Sequence, residues 1–293
     1  MRLSTSTNFF SHRLNGEDTP YIEAVRRCKE AGFLVQDVNF CPALDGRTEL
    51  AKDNWQALIE DVRNEAEKLG VEFTQSHPVF ISGHPSNQPA EKLEYYREMM
   101  RRSIIASSIL GVKWAVLHPT EERTSTVFDT EASVKANMEF HGFAVELAMK
   151  HNVGIAFENM IEGPKSKRRF SSNAAELVAL IDAFKDPGVG ACWDFGHGNF
   201  LYKDQRIALR TLGHHLKATH MNDNCGTADD HLFPFHGTVD WHSVLPVLSE
   251  IGYSGDLTYE AHNEFSKLPE HLKDPVAKAG YEIGMYCLSL ANH

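Results

Sequence analysis

The chain has 293 residues, 42% of them hydrophobic and 24% charged, with a formal net charge of −11. Those values suit one soluble globular unit with a sizeable core, up to and including an α/β barrel. The acidic balance argues against a general nucleic-acid binder, which needs a basic face, and no apolar run approaches the roughly 18 residues of a membrane span.

Residues 1–7 lack the apolar core of a signal peptide and read as the start of a first strand, over residues 2–9. A helix is expected over about 18–31, with Asp18-Thr19-Pro20 as cap and first-turn proline and Gly32 as its stop. Residues 33–40 form a second strand, about 53–69 a helix closed by Gly70, and 71–76 a third strand ending at His77-Pro78. The pattern repeats with a helix over about 90–110, a strand over 112–117 running into His118-Pro119, a helix over about 131–151, and a strand over 153–157 running into Glu158-Asn159. A helix near 174–184 precedes the apolar run Val189-Gly190-Ala191, which continues into Cys192-Trp193-Asp194-Phe195-Gly196-His197. Then come a helix near 204–212, a strand over 216–219 running into His220, a long loop over about 222–240, and a helix over about 242–251. A strand over 255–259 running into Glu260 and a last helix over about 272–291 complete the chain.

Strict alternation of strand and helix implies a parallel sheet, and eight such units imply a closed (β/α)8 TIM barrel, a single domain over 1–293. An open doubly wound sheet is the alternative, but no Gly-rich phosphate fingerprint follows the first strand. The five cysteines, Cys28, Cys41, Cys192, Cys225 and Cys287, form no close pair, so reduced thiols and a cytoplasmic setting are expected.

A barrel carries its site at the C-terminal ends of the strands. Those ends bear His77, His118, Glu158, Asp194, His220 and Glu260 on six successive strands. Alternation along a strand puts Glu158, Asp194 and Glu260 in the lumen and Phe157, Trp193 and Tyr259 toward the helices. Glu158, Asp194, His220 and Glu260 would then make a mixed oxygen and nitrogen site for a divalent cation. Taken singly, each has a plainer reading: a strand-end carboxylate as a cap and a histidine as a satisfied core residue. Asp194 to His197 alone reads equally as a strand-to-helix turn with a capping aspartate.

The succession His118-Pro119, Glu158-Asn159, Asp194-Phe195-Gly196-His197, His220-Met221-Asn222-Asp223 and Glu260 resembles the xylose isomerase-like TIM barrels (AP endonuclease family 2). These include the sugar-phosphate isomerase/epimerase group, with its ketose 3-epimerases and hydroxypyruvate isomerases, and endonuclease IV. Residues 223–241 resemble the isomerase/epimerase group in particular. The resemblance implies one ion, Mn²⁺ or Zn²⁺ with Mg²⁺ or Co²⁺ as alternatives, on Glu158, Asp194, His220 and Glu260. It implies Glu158 and Glu260 as the acid/base pair, moving a proton through a metal-stabilised enediolate. His197, His118 and His77 would contact the substrate, a small sugar, sugar phosphate or polyol derivative.

Positions matching the ligands of the three-zinc endonuclease IV-like site are also present, adding His77, His118, His197, Asp229 and His231 as further metal ligands. A multinuclear zinc hydrolase or phosphodiesterase is therefore the alternative function, and a non-catalytic metal- and carbohydrate-binding barrel the third. Nucleic acid and membrane are not expected partners, whereas a homo-oligomer is in keeping with the family. The run Lys165-Ser166-Lys167-Arg168-Arg169 could hold a substrate phosphate, although such runs are commonly solvated loops. Phe10, Phe80, Phe233 and Phe235 lie in strand-end loops, where they would wall a pocket or pack under the loop. Ketose 3-epimerases carry an arginine shortly after the ligand histidine. Residues 221–227 have none, so the grip on substrate must differ.

Overall fold

A computed structural model describes residues 1–11, 13–81, 85–120, 128–162 and 169–292. The strands are β1 (Leu3–Ser6), β2 (Val35–Asn39), β3 (Glu72–His77), β4 (Trp114–Leu117), β5 (Gly154–Glu158), β6 (Val189–Asp194), β7 (Leu216–His220) and β8 (Leu257–Tyr259). Each lies parallel to its sequence neighbours, and β1 also pairs with β8. The seam between β7 and β8 closes just beyond β7, where Met221 N donates to Thr258 O at 2.6 Å and Glu260 N donates to Met221 O at 3.1 Å. The expected eight-stranded barrel is thus present.

Its outer layer holds α1 (Tyr21–Ala31), α2 (Trp55–Leu69), α3 (Ala90–Leu110), α4 (Thr130–Lys150), α5 (Ala174–Phe184), α6 (Phe195–Gly198), α7 (Arg206–Leu212), α8 (Trp241–Val244), α9 (Pro246–Glu250), α10 (Asn263–Ser266) and α11 (Glu270–Ala291). Gly32, Gly70 and Gly111 end α1, α2 and α3 at positive φ, as expected of C-terminal glycines.

Several boundaries differ from the sequence expectation. The first strand stops at Ser6 and turns into a 3-10 segment, Thr7–Phe10. Helix α1 starts at Tyr21 with Pro20 in the cap position and no side-chain cap, so Asp18 does not cap it. The residue before a proline disfavours helical geometry, and the first N–H of the helix is satisfied instead by Glu49, whose Oε1 accepts from Tyr21 N at 3.0 Å. The helix expected over 242–251 is divided into α8 and α9 at Pro246, which has no N–H to continue the ladder.

Alternation sorts the strand side chains into two cores. Outward-facing Phe157, Trp193 and Tyr259 are fully buried in the sheet–helix layer. Trp193 Nε1 donates to Gln205 Oε1 at 2.9 Å, and Tyr259 Oη donates to Gly280 O on α11 at 3.0 Å, which satisfies their polar atoms. Inward-facing Val116, Ala156, Cys192 and Ala218 form a small separate cluster inside the barrel. Two residues further along the same strands stand His118, Glu158, Asp194 and His220. The period of two that keeps the lower layer small therefore lifts all four donors into the mouth.

Candidate metal centre and active-site cavity

The donors gather into overlapping groups. Ligand atoms of Glu158, Asp194, His220 and Glu260 lie within 4.8 Å of one another, as do those of His77, His118 and Glu158, of His77, His220 and Glu260, and of His197, Asp229 and His231. Glu158 is the hub. Its Oε1 is 3.0 Å from His220 Nδ1, its Oε2 is 3.1 Å from His118 Nε2, and His77 Nε2 lies 3.6 Å from that same Oε2. Glu260 Oε2 approaches His220 Nδ1 from the other side at 3.2 Å. Asp229 Oδ1 lies 3.5 Å from His197 Nε2 and 3.2 Å from His231 Nε2. Every site residue expected from the sequence therefore reaches the mouth of the barrel.

Two observations show that this donor set suits a cation. Glu158 Oε2 is buried and makes no hydrogen bond, although imidazole nitrogens surround it. His77 Nε2 and His118 Nε2 face each other at 3.0 Å, so that with both nitrogens deprotonated their lone pairs would converge on one region. The outer ring nitrogens are held by backbone: His77 Nδ1 pairs with Pro78 O at 3.0 Å, His197 Nδ1 with Asn159 O at 2.8 Å, and His231 Nδ1 with Glu260 O at 2.8 Å. Donation to a carbonyl through Nδ1 leaves Nε2 free as a ligand.

Burial works against ionisation of Glu158, yet His220 and His118 hold its carboxyl well below the usual range. Burial likewise opposes Glu260, and His220 and His231 outweigh it. Asp194 goes the other way: burial, reinforced by the Glu158 and Glu260 charges, pushes it up to about 6. Burial would strip protons from His77, His197, His220 and His231, but their neighbours reverse it and raise all four. His231, beside Asp229, reaches about 9. Only in His118 among these five does burial prevail and lower the value, despite Glu158.

Asp194 caps the turn and also stands among the candidate ligands. Its Oδ1 caps α6 by accepting from His197 N at 2.6 Å, while its Oδ2 accepts from Asn222 Nδ2 at 2.6 Å and faces the donor group. Gly196 is required here, because a Cβ would collide with the Asn222 carboxamide. Gly196→Ala is expected to cost about 1–3 kcal/mol in stability. It should also weaken metal uptake through the displaced Asn222, as read by thermal melts with and without zinc. A variant that melts and binds zinc like the parent would remove this role.

Asn159 and Asn222 stood in the quoted motifs without a role, and Asp37 escaped the sequence reading. Asn159 clasps β6, with Nδ2 donating to Asp194 O at 2.9 Å and Oδ1 accepting from Asp194 N at 2.6 Å. Asp37 is fully buried inside the barrel on β2, where Ser6 Oγ donates to it at 3.0 Å and burial raises its carboxyl. Asn159 beside Glu158 was a local signal. For Asp37 the inward parity of β2 was the signal, and it is visible only once the register is known. Cys41, to which no role was given, puts its Sγ 3.1 Å from His77 Nδ1. Cys225 is exposed.

The donors open into a cavity of about 1020 Å³. Its polar lining includes His77, His118, His197, Asp229, His231 and Glu260, and its apolar walls include Phe9, Val79, Phe80, Met160, Ile161 and Phe265. Of the four loop aromatics singled out in the sequence, Phe80 walls this cavity, its ring 4.3 Å from that of His118. Phe10 and Phe233 pack underneath, and Phe235 is 41% exposed. Of the basic run, Lys165 to Arg168 lie outside the described residues, while Arg169 lines the cavity.

Residues 25–281 match the family model described as xylose isomerase-like TIM barrel. A relative in Sinorhizobium fredii, the protein y4fM, is 27% identical over 172 residues, which cover 56% of this chain and 51% of that one. The match thus spans about half the length of that relative. Among solved structures, a D-tagatose 3-epimerase-like protein superposes with a TM-score of 0.75 at 20% identity, covering 100% of this chain and 98% of that one. The IOLI protein, solved with a binding zinc atom, does so with a TM-score of 0.74 at 17% identity, covering 99% and 98%. At such identities the likeness is one of fold.

Proposed function

The chain belongs to the xylose isomerase-like TIM barrel family, and from that premise we propose that it is a divalent-metal-dependent isomerase or epimerase of a small sugar, sugar phosphate or polyol derivative. The observation that carries the reading is the pair Glu158 and Glu260. They come from β5 and β8, with β6 and β7 between them, and meet on either side of His220 Nδ1. Both carboxyls are held in the ionised form, so either can take a proton from carbon. A divalent ion on Glu158, Asp194, His220 and Glu260 would polarise the substrate carbonyl and its neighbouring hydroxyl, making the adjacent C–H acidic.

The chain's own residues do the rest. One glutamate removes the proton beside the carbonyl, and the other returns a proton to the same carbon for epimerisation or to its neighbour for isomerisation. Asn159 and Asn222 hold Asp194 in place, and the apolar walls exclude water from the reacting face. His197 and His118 line the cavity and would hydrogen-bond substrate oxygens.

A second reading rests on the separate groups His77/His118/Glu158 and His197/Asp229/His231, which offer places for further ions. On that reading the protein is a multinuclear zinc hydrolase that activates water against a phosphodiester. Metal analysis of the purified protein, followed by a panel of keto sugars and sugar phosphates with the ion found, separates the two. The proposal expects close to one tightly held ion and a chelator-sensitive interconversion. Close to three zinc ions, with cleavage of a bis-aryl phosphate and an inert sugar panel, would replace it with the hydrolase.

A further inference from the structure

The carboxylate that the other donors share stands at the very end of β5, and the chain that leaves it comes back to it. The segment departs through Met160 and Ile161 and returns through Arg169, all three on the cavity wall. Glu162 closes its base: Oε1 accepts from Arg169 N at 2.8 Å and Oε2 from Ser172 Oγ at 3.0 Å. Just inside that clasp, Ser171 is fully buried and donates from Oγ to the Glu158 carbonyl oxygen at 3.3 Å. Its own N–H donates at 2.9 Å to Oε2 of Glu176, a buried side chain in the first turn of α5.

Ser171 holds a φ of 69°. Asn152 and Lys185 also have positive φ, but they follow α4 and α5, where helix ends ordinarily adopt it. Ser171 precedes a helix, so no helix end accounts for its conformation. A buried serine kept there needs bonds that outweigh the strain, and outliers of this kind gather at functional sites. The peptide between Glu158 and Asn159 is gripped on both sides. Ser171 holds its carbonyl, and its N–H donates to Cys192 O on β6 at 3.3 Å. The grip falls where β5 ends and a strand is freest to fray.

We propose that Ser171 and Glu176 are positioning residues for the Glu158 carboxylate. Neither contacts an ion or a substrate. Glu176 fixes the backbone of Ser171, and Ser171 fixes the last peptide of β5, so that Glu158 faces His118 and His220 together. A carboxylate that drifts by about 1 Å loses its geometry toward an ion. The inference rests on Glu158 as ligand and base in the reading above.

Zinc titration of the metal-free protein and the visible spectrum of the cobalt-loaded protein test it with four variants. Ser171→Ala and Ser171→Gly both delete the hydroxyl, but only glycine relieves the backbone strain. Glu176→Ala deletes the acceptor, whereas Glu176→Gln keeps one. The first three are expected to weaken zinc by about tenfold and to shift the cobalt bands, and Glu176→Gln to match the parent in both. A role confined to loop stability would lower the melting temperature and leave the cobalt spectrum unmoved, which would overturn the proposal. Parent-like zinc affinity in Ser171→Gly would overturn it too, since the hydroxyl would then be dispensable. If Ser171→Ala does not fold, Ser171→Gly and the Glu176 pair decide. The expected zinc losses in a parent that interconverts no sugar would leave the positioning role standing and remove the isomerase reading. A parent that interconverts sugars, with Ser171→Gly equal to it in zinc affinity and kcat, would do the reverse.

Discussion

Glu158→Gln and Glu260→Gln, each assayed with metal at saturation, are expected to lower kcat by about 10²–10⁴-fold while the barrel remains folded. The amide keeps the shape of the side chain but cannot accept a proton from carbon. Saturating metal separates this loss from a second effect. Glu158 is shared between two donor groups and its Oε2 has no hydrogen-bond partner, so its charge also contributes to ion affinity. Circular dichroism and metal content should match the parent under those conditions. If both variants turn over at the parent rate, neither glutamate is the acid/base group.

Metal uptake is expected to release protons and to tighten steeply with pH. Without an ion His220 is raised well above its ordinary value, so at neutral pH it holds a proton that a ligand imidazole must lose, whereas His77, His197 and His231, raised likewise, would lose theirs only to further ions. Each displaced proton makes affinity rise up to about tenfold per pH unit below the metal-free value. Asp194, pushed up to about 6, adds one more below that pH. Titration calorimetry in buffers of different ionisation heat counts the protons directly. A buffer-independent heat near pH 7 would show that the imidazoles are already neutral.

The metal-free protein should respond with the opposite sign. The stabilisation from the His231–Asp229 pair is complete below the ordinary histidine value of 6.5 and is lost as pH rises through about 9. On the acid side, Asp229 is held low by His197 and His231, against burial. Its contribution is therefore present above the ordinary value of 3.8 and is lost as pH falls below it.

Much of the candidate site was legible because barrel geometry turns a one-dimensional pattern into a place. A carboxylate or histidine at the end of each successive strand has nowhere to go but the common mouth. Period-two alternation then says which of two neighbours faces the lumen, so Glu158 with Phe157 and Asp194 with Trp193 could be sorted by parity alone. Helix ends were less legible. The first turn of α1 takes its partner from Glu49, which is remote in sequence, and Pro246 divides a segment whose apolar pattern runs through it.

The sequence by itself determined the eightfold alternation, the inward and outward faces of the strands, and the set of donors at their ends, since all of these follow from local periodicity. Tertiary structure decided what depends on distance between strands. It made Glu158 the hub that His77, His118 and His220 share, made Asp194 both a cap and a donor, and grouped His197 with Asp229 and His231 rather than leaving it alone. It also brought Asn159, Asp37 and Cys41 against the site, and placed His141 of α4 beside the same cavity. No spacing along the chain encodes such contacts, because each is set by the stagger of parallel strands and by how closely the helices pack over them.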